Sequence, residues 1–180
     1  TTAVTRLIEK EKVVAIIGSY GSGVSIAAGD IIKNAEIPAM WASCTNPMVT
    51  QGNEFYFRAC FLDPFQGKVM ANYALGQGAK TAAVIMQNGD DYSVGLGNFF
   101  IDAFKELTCD ENSIVDVSEF QVNDSDFNAI LTNIKAKNPD VIFAPSSATS
   151  APLIIKQARA LGIKSLIMGG DTWENQAVID

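Results

Sequence analysis

The sequence contains no histidine among its 180 residues. This absence excludes Ser-His-Asp and Cys-His catalysis, zinc sites of the HExxH type and histidine general bases, so any enzymatic chemistry would rest on carboxylates, Lys, Tyr or Cys. Only three cysteines occur, Cys44, Cys60 and Cys109, and they form no Cys-x-x-Cys pair. Such spacing supports neither a zinc site nor a redox motif. We therefore expect no bound metal and no cofactor.

Basic residues and long apolar runs are also scarce. Thirteen Lys and Arg against 20 Asp and Glu give a formal net charge of -7, which disfavours nucleic acid and anionic lipid as partners. The longest apolar stretches are about eight residues, whereas a membrane-spanning helix needs about 20. Residues 1–12 predict a charged helix and not a signal peptide. If the protein is exported, we expect its targeting segment to lie outside this chain.

What the sequence does contain is a regular alternation of short apolar runs with amphipathic segments, which is typical of βα units and a parallel sheet. The predicted strands are 13–19, 37–42, 55–60, 81–87, 114–120, 140–144 and 165–169. The predicted helices are 22–36, 64–76, 93–108, 126–137 and 151–161. In the fourth of these helices, Asp124, Ser125 and Asp126 offer N-cap oxygens and Phe127, Ile130, Leu131 and Ile134 form the predicted buried stripe.

The segment 58–67 differs from the other connections, because a strand ends there in Leu62-Asp63-Pro64 before a new helix begins. We interpret it as a crossing between two lobes. The βα units before it are too few to close a layered domain by themselves. The predicted organisation is therefore residues 1–61 as part of lobe 1 and residues 62–180 as most of lobe 2.

Two polar turns follow predicted strands in the first part of the chain, at the sheet edge where open α/β sheets bind ligands. The first contains Tyr20 and Ser22 in the run GSYGSG, which has neither the dinucleotide-binding glycine order nor the Lys of a P-loop. It predicts either an anion-binding turn or simple N-capping by Ser22. The second contains Ser43, Cys44 and Thr45, and is either a ligand-binding turn or a polar turn that ends at a proline.

Two further turns follow strands in the second part. Tyr92 comes after Asp90 and Asp91, where it either reaches a ligand from an exposed edge or packs on its own lobe behind Asp caps. Asp171 comes after two glycines that permit a close backbone approach to a ligand. Its carboxylate suits an ammonium group, and its alternative role is to N-cap the next element.

Taken together, these segments resemble the branched-chain amino-acid type of periplasmic binding protein. The runs that carry the resemblance are VAIIGSYGSGV at 14–24, SCTNP at 43–47, FR at 57–58, DPFQG at 63–67, NGDDYSVG at 88–95, IIKQARALG at 154–162 and GGD at 169–171. The resemblance implies an α/β, two-lobed type I fold with parallel sheets flanked by helices. It also implies that this chain is a fragment lacking parts of lobe 1 at both ends.

The same resemblance implies an extracytoplasmic receptor, and no enzyme, that closes its lobes on an amino acid or similar zwitterion and delivers it to the permease of an ABC transporter. Ser22 and Thr45, with the backbone at Ser43, match positions that hold the ligand's carboxylate and ammonium. Tyr92 matches an aromatic residue that closes on the ligand, and Asp171 matches the acidic partner of the ammonium. The remaining members of the predicted ligand-binding set are Tyr20 and Cys44.

Two departures from the family pattern concern the pocket for the ligand's side chain. Ser146, Ser147 and Ala148 stand where the family often has aromatic residues, and Trp41 stands where a smaller residue is common. The identity of the ligand therefore stays open.

Other functions and states also remain open. The fold would equally suit the sensor domain of a regulator or receptor that answers an amide or carboxylate. An enzyme with Asp90, Asp91 or Asp171 as acid or base is the third class considered. Missing strands would expose an apolar sheet edge that invites pairing with a second copy, so a homodimer is one expected state.

Overall fold

In the computed structural model, which describes residues 1–174 and 176–179, the chain divides into two compact units. Unit 1 is Thr1–Asp63 and unit 2 is Pro64–Asp180. Both are built from parallel strands and helices, as the alternation of short apolar runs and amphipathic segments predicts. The assignment of residues 1–61 and 62–180 to two lobes of a larger receptor stays a prediction.

Unit 1 is a three-stranded parallel sheet with helices on one face. Its elements are α1 (Thr2–Glu9), β1 (Ile16–Ile17), α2 (Ser22–Ala27), α3 (Gly29–Ala35), β2 (Ala39–Trp41), a 3-10 turn (Pro47–Val49) and β3 (Tyr56–Arg58). The strand order is β1-β2-β3. These strands are shorter than the predicted runs, and β1, an edge strand that pairs with β2 alone, has only two residues.

The two faces of this sheet differ in burial. Trp41 and Tyr56 point to the covered face, where their rings meet edge to face at 5.2 Å. Ile17, Met40 and Phe57 are register partners across β1, β2 and β3, and all three are exposed on the other face. The core of unit 1 therefore lies on the side of Trp41 and Tyr56.

Unit 2 is a four-stranded parallel sheet with the order β5-β4-β6-β7. Its elements are α4 (Asp63–Gly76), β4 (Ala82–Gln87), α5 (Asp91–Thr108), β5 (Ile114–Phe120), α6 (Asn128–Lys137), β6 (Val141–Phe143), α7 (Ala151–Ala160), β7 (Leu166–Met168) and α8 (Gln176–Ile179), with 3-10 turns at Glu111–Ser113 and Asp171–Trp173. Helices cover both faces, as is usual for an all-parallel sheet.

The two-residue period of β4 distributes its side chains between two cores. Val84 joins Phe100 and Phe143, whose rings stack at 4.3 Å, in the core beneath α4 and α5. Its neighbour Ile85 joins Leu131 of α6 and other buried residues of α7 in the core on the opposite face. Unit 2 therefore has three layers, with the sheet in the middle.

Two differences between the predicted and observed helices have a local cause, and the other three predicted helices differ by only one or two residues at one end. The predicted single helix 22–36 is wrong, because the chain tightens at Ala28, whose N–H bonds the carbonyl of Ser25 only three residues back. A new helix then starts at Gly29, and glycine is a weak helix former. The helix predicted at 126–137 begins two residues later, at Asn128, because the Asp126 carboxylate accepts the Asn128 N–H at 2.9 Å in a turn that precedes the helix.

Candidate functional site

In unit 2, three neighbouring strands deliver polar side chains to one edge of the sheet. β4, β6 and β7 are adjacent and parallel, so their carboxyl ends lie side by side. Tyr92 lies in the first turn of the helix that follows β4, Ser146 follows β6, and Asp171 follows β7. The predicted pair Tyr92 and Asp171 is thus brought together, although 79 positions separate the two residues in sequence.

The Asp171 carboxylate is held by two donors. The Tyr92 hydroxyl donates to its Oδ1 at 2.6 Å, and the Gln66 amide nitrogen donates to the same oxygen at 3.0 Å. The Asp171 backbone N–H in turn donates to Gln66 Oε1 at 2.8 Å. The alternative role of Asp171 as an N-cap is wrong, since Gly170 caps the following 3-10 turn and Asp171 is its first residue.

Tyr92 is buried, as in the alternative that packs it on its own part of the protein behind an Asp cap. Burial, and next the negative charge of Asp171, raise the pKa of the Tyr92 phenol far above its ordinary value. The phenol is therefore a proton donor at any physiological pH. Asp90 is the N-cap of α5 and accepts the Tyr92 N–H at 3.2 Å, so the expected Asp cap is present. Burial also raises the pKa of the Asp90 carboxyl.

The paired glycines before Asp171 make room for side chains of the protein itself. A Cβ atom on Gly169 would collide with the indole of Trp173. A Cβ atom on Gly170 would collide with the Tyr92 hydroxyl and would also lie 3.2 Å from Gln66 Oε1. These glycines permit the close approach of Trp173, Tyr92 and Gln66, and their approach to a ligand stays a prediction.

In unit 1, the two predicted turns pack against each other. The Ser22 hydroxyl accepts the backbone N–H of Asn46 at 3.3 Å, and the Ser43 hydroxyl donates to the carbonyl of Tyr20 at 3.1 Å. Gly21 is the N-cap of α2, so the alternative of N-capping by Ser22 is wrong. Tyr20 is exposed and Ser43 half-buried, while the Ser22 side chain is buried.

Behind these turns lie two buried side chains and an arginine. Cys44 is fully buried, and burial raises the pKa of its thiol. Thr45 is 1% exposed, and within residues 1–174 and 176–179 its hydroxyl has no hydrogen-bond partner. The Arg58 guanidinium donates to the carbonyls of Cys44 and Asn46 at 2.8 and 2.9 Å and to Thr50 Oγ1 at 2.8 Å. These hydrogen bonds from Arg58 hold the turn that contains Ser43, Cys44 and Thr45 in place.

Among the residues that the structure describes, no three His, Cys, Asp or Glu side chains are grouped so that they could hold a metal ion. Nor does any described helix combine the length and apolarity needed to cross a bilayer.

The model of one family, described as periplasmic binding protein, matches residues 1–178. This chain belongs to the periplasmic binding protein family. The sequence-based resemblance and the predicted α/β fold of type I are therefore confirmed.

Solved structures of this family are similar over almost the whole chain. A leucine-binding protein LivK from Thermotoga maritima is 41% identical with a TM-score of 0.94, and the match covers 99% of this chain and 50% of that one. The branched-chain amino-acid transporter substrate-binding protein LivJ from Streptococcus pneumoniae, solved with isoleucine, is 33% identical with a TM-score of 0.88 and has the same coverage.

A curated relative, the leucine-specific-binding protein of Salmonella typhimurium, is 27% identical over 93% of this chain and 45% of its own length. This periplasmic binding protein chain therefore spans about half the length of the relatives that it matches. The relatives are named as binding proteins and not as enzymes. It stays a prediction that a ligand is bound by Tyr20, Ser22, Ser43, Cys44, Thr45, Tyr92 and Asp171.

Sequence reasoning missed Gln66 as a member of the unit 2 cluster. The residue lies within the DPFQG run, but no pattern of spacing connects position 66 with position 171. The feature that identifies Gln66 is the burial of its polar side chain in the first turn of α4, and only the structure shows this burial.

Proposed function

We propose that this chain forms part of an extracytoplasmic receptor that binds an amino acid or similar small zwitterion and delivers it to the permease of an ABC transporter. The observation that carries the proposal is the Asp171 carboxylate, which is exposed at the carboxyl edge of a parallel sheet and is held by Tyr92 and Gln66. Ligands of open α/β sheets bind at this edge.

Asp171 suits the ammonium half of a zwitterion. Both of its donors bond Oδ1, and within the described part of the chain no donor bonds Oδ2. A carboxylate held in place with one oxygen open can accept a charge-assisted hydrogen bond, which is about twice as strong as a neutral one. No reorganisation of the carboxylate is then needed when an ammonium group arrives.

The two polar turns of unit 1 suit the binding of the carboxylate group of the zwitterion. The Ser22 hydroxyl accepts one hydrogen bond, from Asn46, and keeps its own proton for donation, because a serine hydroxyl both donates and accepts. Thr45 carries a second hydroxyl whose hydrogen-bonding capacity is unused among the described residues. The Arg58 guanidinium, bonded to the carbonyl of Cys44, adds a positive charge directly behind these turns. We propose that Ser22, Ser43 and Thr45 bind the ligand's carboxylate.

The relatives point to an aliphatic amino acid as the ligand. Names of similar proteins specify leucine, and LivJ was solved with isoleucine. We further propose that units 1 and 2 act as the two lobes of the receptor and close on a ligand that both of them contact. Such closure requires contacts made only in the closed state, and the ammonium contact of Asp171 is our candidate.

The test is calorimetric titration of the chain, and of any longer natural polypeptide that contains it, with L-leucine and with isocaproate, which is leucine without its amino group. We expect Asp171→Asn to weaken L-leucine binding at least about tenfold, because it removes the negative charge that would pair with the ligand's ammonium group. Isocaproate binding should change little. Asp102→Ala, at an exposed position of α5 in the same unit, is the matched control and should bind both ligands normally.

A preference for L-leucine that survives Asp171→Asn would contradict the assignment of Asp171 to the ammonium. Binding of amides or simple acids, with no binding of amino acids, would favour the sensor of an amide or carboxylate in place of the amino-acid receptor.

A further inference from the structure

Gln66 connects the first turn of α4 to the end of β7, across 105 positions of sequence. Its side chain is only 7% exposed, and a buried amide must find hydrogen-bond partners to offset its lost hydration. Both ends of the amide find them on one residue. The nitrogen donates to Asp171 Oδ1 at 3.0 Å, and the oxygen accepts the Asp171 backbone N–H at 2.8 Å.

This two-point contact restrains the side chain of Asp171 as well as its backbone. A bond to the backbone N–H alone would place the residue but leave the carboxylate free to rotate. A bond to the carboxylate alone would let the turn move. With both bonds, and with the Tyr92 hydroxyl on the same Oδ1 at 2.6 Å, Oδ1 is occupied and Oδ2 is left for another donor.

The residues around Asp171 leave room for its contacts with Gln66 and Tyr92. Gly170 permits the close approach of Gln66, since a Cβ atom there would lie 3.2 Å from Gln66 Oε1 and 2.8 Å from Leu96 Cδ2. Asp171 itself is exposed, whereas Gln66 and Tyr92 are buried. The buried pair therefore forms a rigid base, and the exposed carboxylate is the group that it orients.

We propose that Gln66 is a positioning residue that orients Asp171 for recognition of a ligand ammonium group, and thereby sets the preference for amino acids over the corresponding deaminated acids. This inference rests on the proposed role of Asp171. Gln66 is assigned to act through Asp171, because its amide is buried and bonds Asp171 through both its nitrogen and its oxygen. An amide suits this role because it offers a donor and an acceptor a short distance apart.

The test compares Gln66→Met, which keeps the length of the side chain and removes both hydrogen bonds, with the wild-type protein. Calorimetry with L-leucine and isocaproate should show an affinity for L-leucine that falls about tenfold, since an Asp171 carboxylate held by Tyr92 alone is less well preorganised for the ammonium group. The affinity for isocaproate should stay within about twofold, because that ligand has no ammonium group to recognise.

Gln157→Met is the matched control in the same unit. The Gln157 amide also makes two hydrogen bonds, at 2.7 Å each, to the Phe127 N–H and the Ser125 carbonyl. Gln157→Met removes both of these hydrogen bonds, so we expect it to lower the melting temperature. We expect the same of Gln66→Met. Unlike Gln66→Met, however, Gln157→Met should leave the preference for L-leucine unchanged. Gln66→Asn, one methylene too short to keep both bonds, is a second variant and should show the same selective loss.

The outcomes separate this inference from the proposed function. If Asp171→Asn abolishes the preference for L-leucine while Gln66→Met and Gln66→Asn keep it, the positioning role is overturned and the role of Asp171 stands. If Asp171→Asn also keeps the preference, the ammonium site itself is wrong. Equal weakening of both ligands by the Gln66 variants would show a structural role only and would likewise overturn the inference.

Discussion

Replacing Tyr92 by Phe removes a single hydroxyl group and leaves the buried ring in place. That hydroxyl donates to Asp171 Oδ1 at 2.6 Å and lies 3.4 Å from the Thr172 hydroxyl. A hydrogen bond to a charged group contributes about 1.5–3 kcal/mol net, and we expect the lower end, about 1.5 kcal/mol, because water can replace the donor at an exposed carboxylate. A loss of this size should lower the melting temperature by about 5 °C.

Urea unfolding followed by circular dichroism measures this loss, and a double-mutant cycle assigns it to the pair. Tyr92→Phe, Asp171→Ala and the double variant should give a coupling free energy of about 1 kcal/mol or more. Tyr73→Phe, at an exposed position of α4, is the control and should leave stability unchanged. A coupling free energy indistinguishable from zero would refute the argument that Tyr92 and Asp171 stabilise one another.

The same pair predicts a dependence of stability on pH. The pKa of the Tyr92 phenol is raised in the folded state, first by burial and then by Asp171, so the folded protein holds this proton where the unfolded chain releases it. The contribution is complete below the ordinary tyrosine value of about 10 and is lost as the pH rises above it. Wild-type unit 2 should therefore lose stability above that pH more steeply than the Tyr92→Phe variant, and a decline equally steep in both would contradict this reasoning.

Three further substitutions test the packing around the two predicted sites. Gly170→Ala should destabilise the protein by about 1–3 kcal/mol, because its new Cβ atom would collide with the Tyr92 hydroxyl; Gly76→Ala, with open space around it, should be neutral or stabilising. Arg58→Lys should cost about 2 kcal/mol in urea unfolding, since one ammonium cannot replace the guanidinium bonds to two carbonyls and a hydroxyl, and an unchanged midpoint would contradict this. Phe100→Ala should cost about 3–5 kcal/mol, measured in the same way, because this ring is fully buried and stacked; a loss below that of Gly170→Ala would contradict the packing described.

Much of the fold follows from local patterns. The apolar run at 81–87 predicts a strand, and the structure has β4 there, with Val84 and Ile85 pointing to opposite layers. The stripe of Phe127, Ile130, Leu131 and Ile134 predicts the buried face of α6; all of these are buried except Ile130, which is partly buried against the same core. The exact ends of elements depend on single hydrogen bonds, such as the one from Asn128 to Asp126, and so escaped prediction.

The sequence alone determined that polar turns follow parallel strands and therefore share one edge of each sheet, because the side-chain period and the turn residues are local properties of the chain. Only the tertiary structure decided which of these side chains meet. Asp171 lies beside Tyr92 because β4, β6 and β7 are neighbours in the sheet, and beside Gln66 because α4 packs in the same layer as α5. Such partners depend on strand order and packing over more than a hundred residues, and no local pattern encodes them.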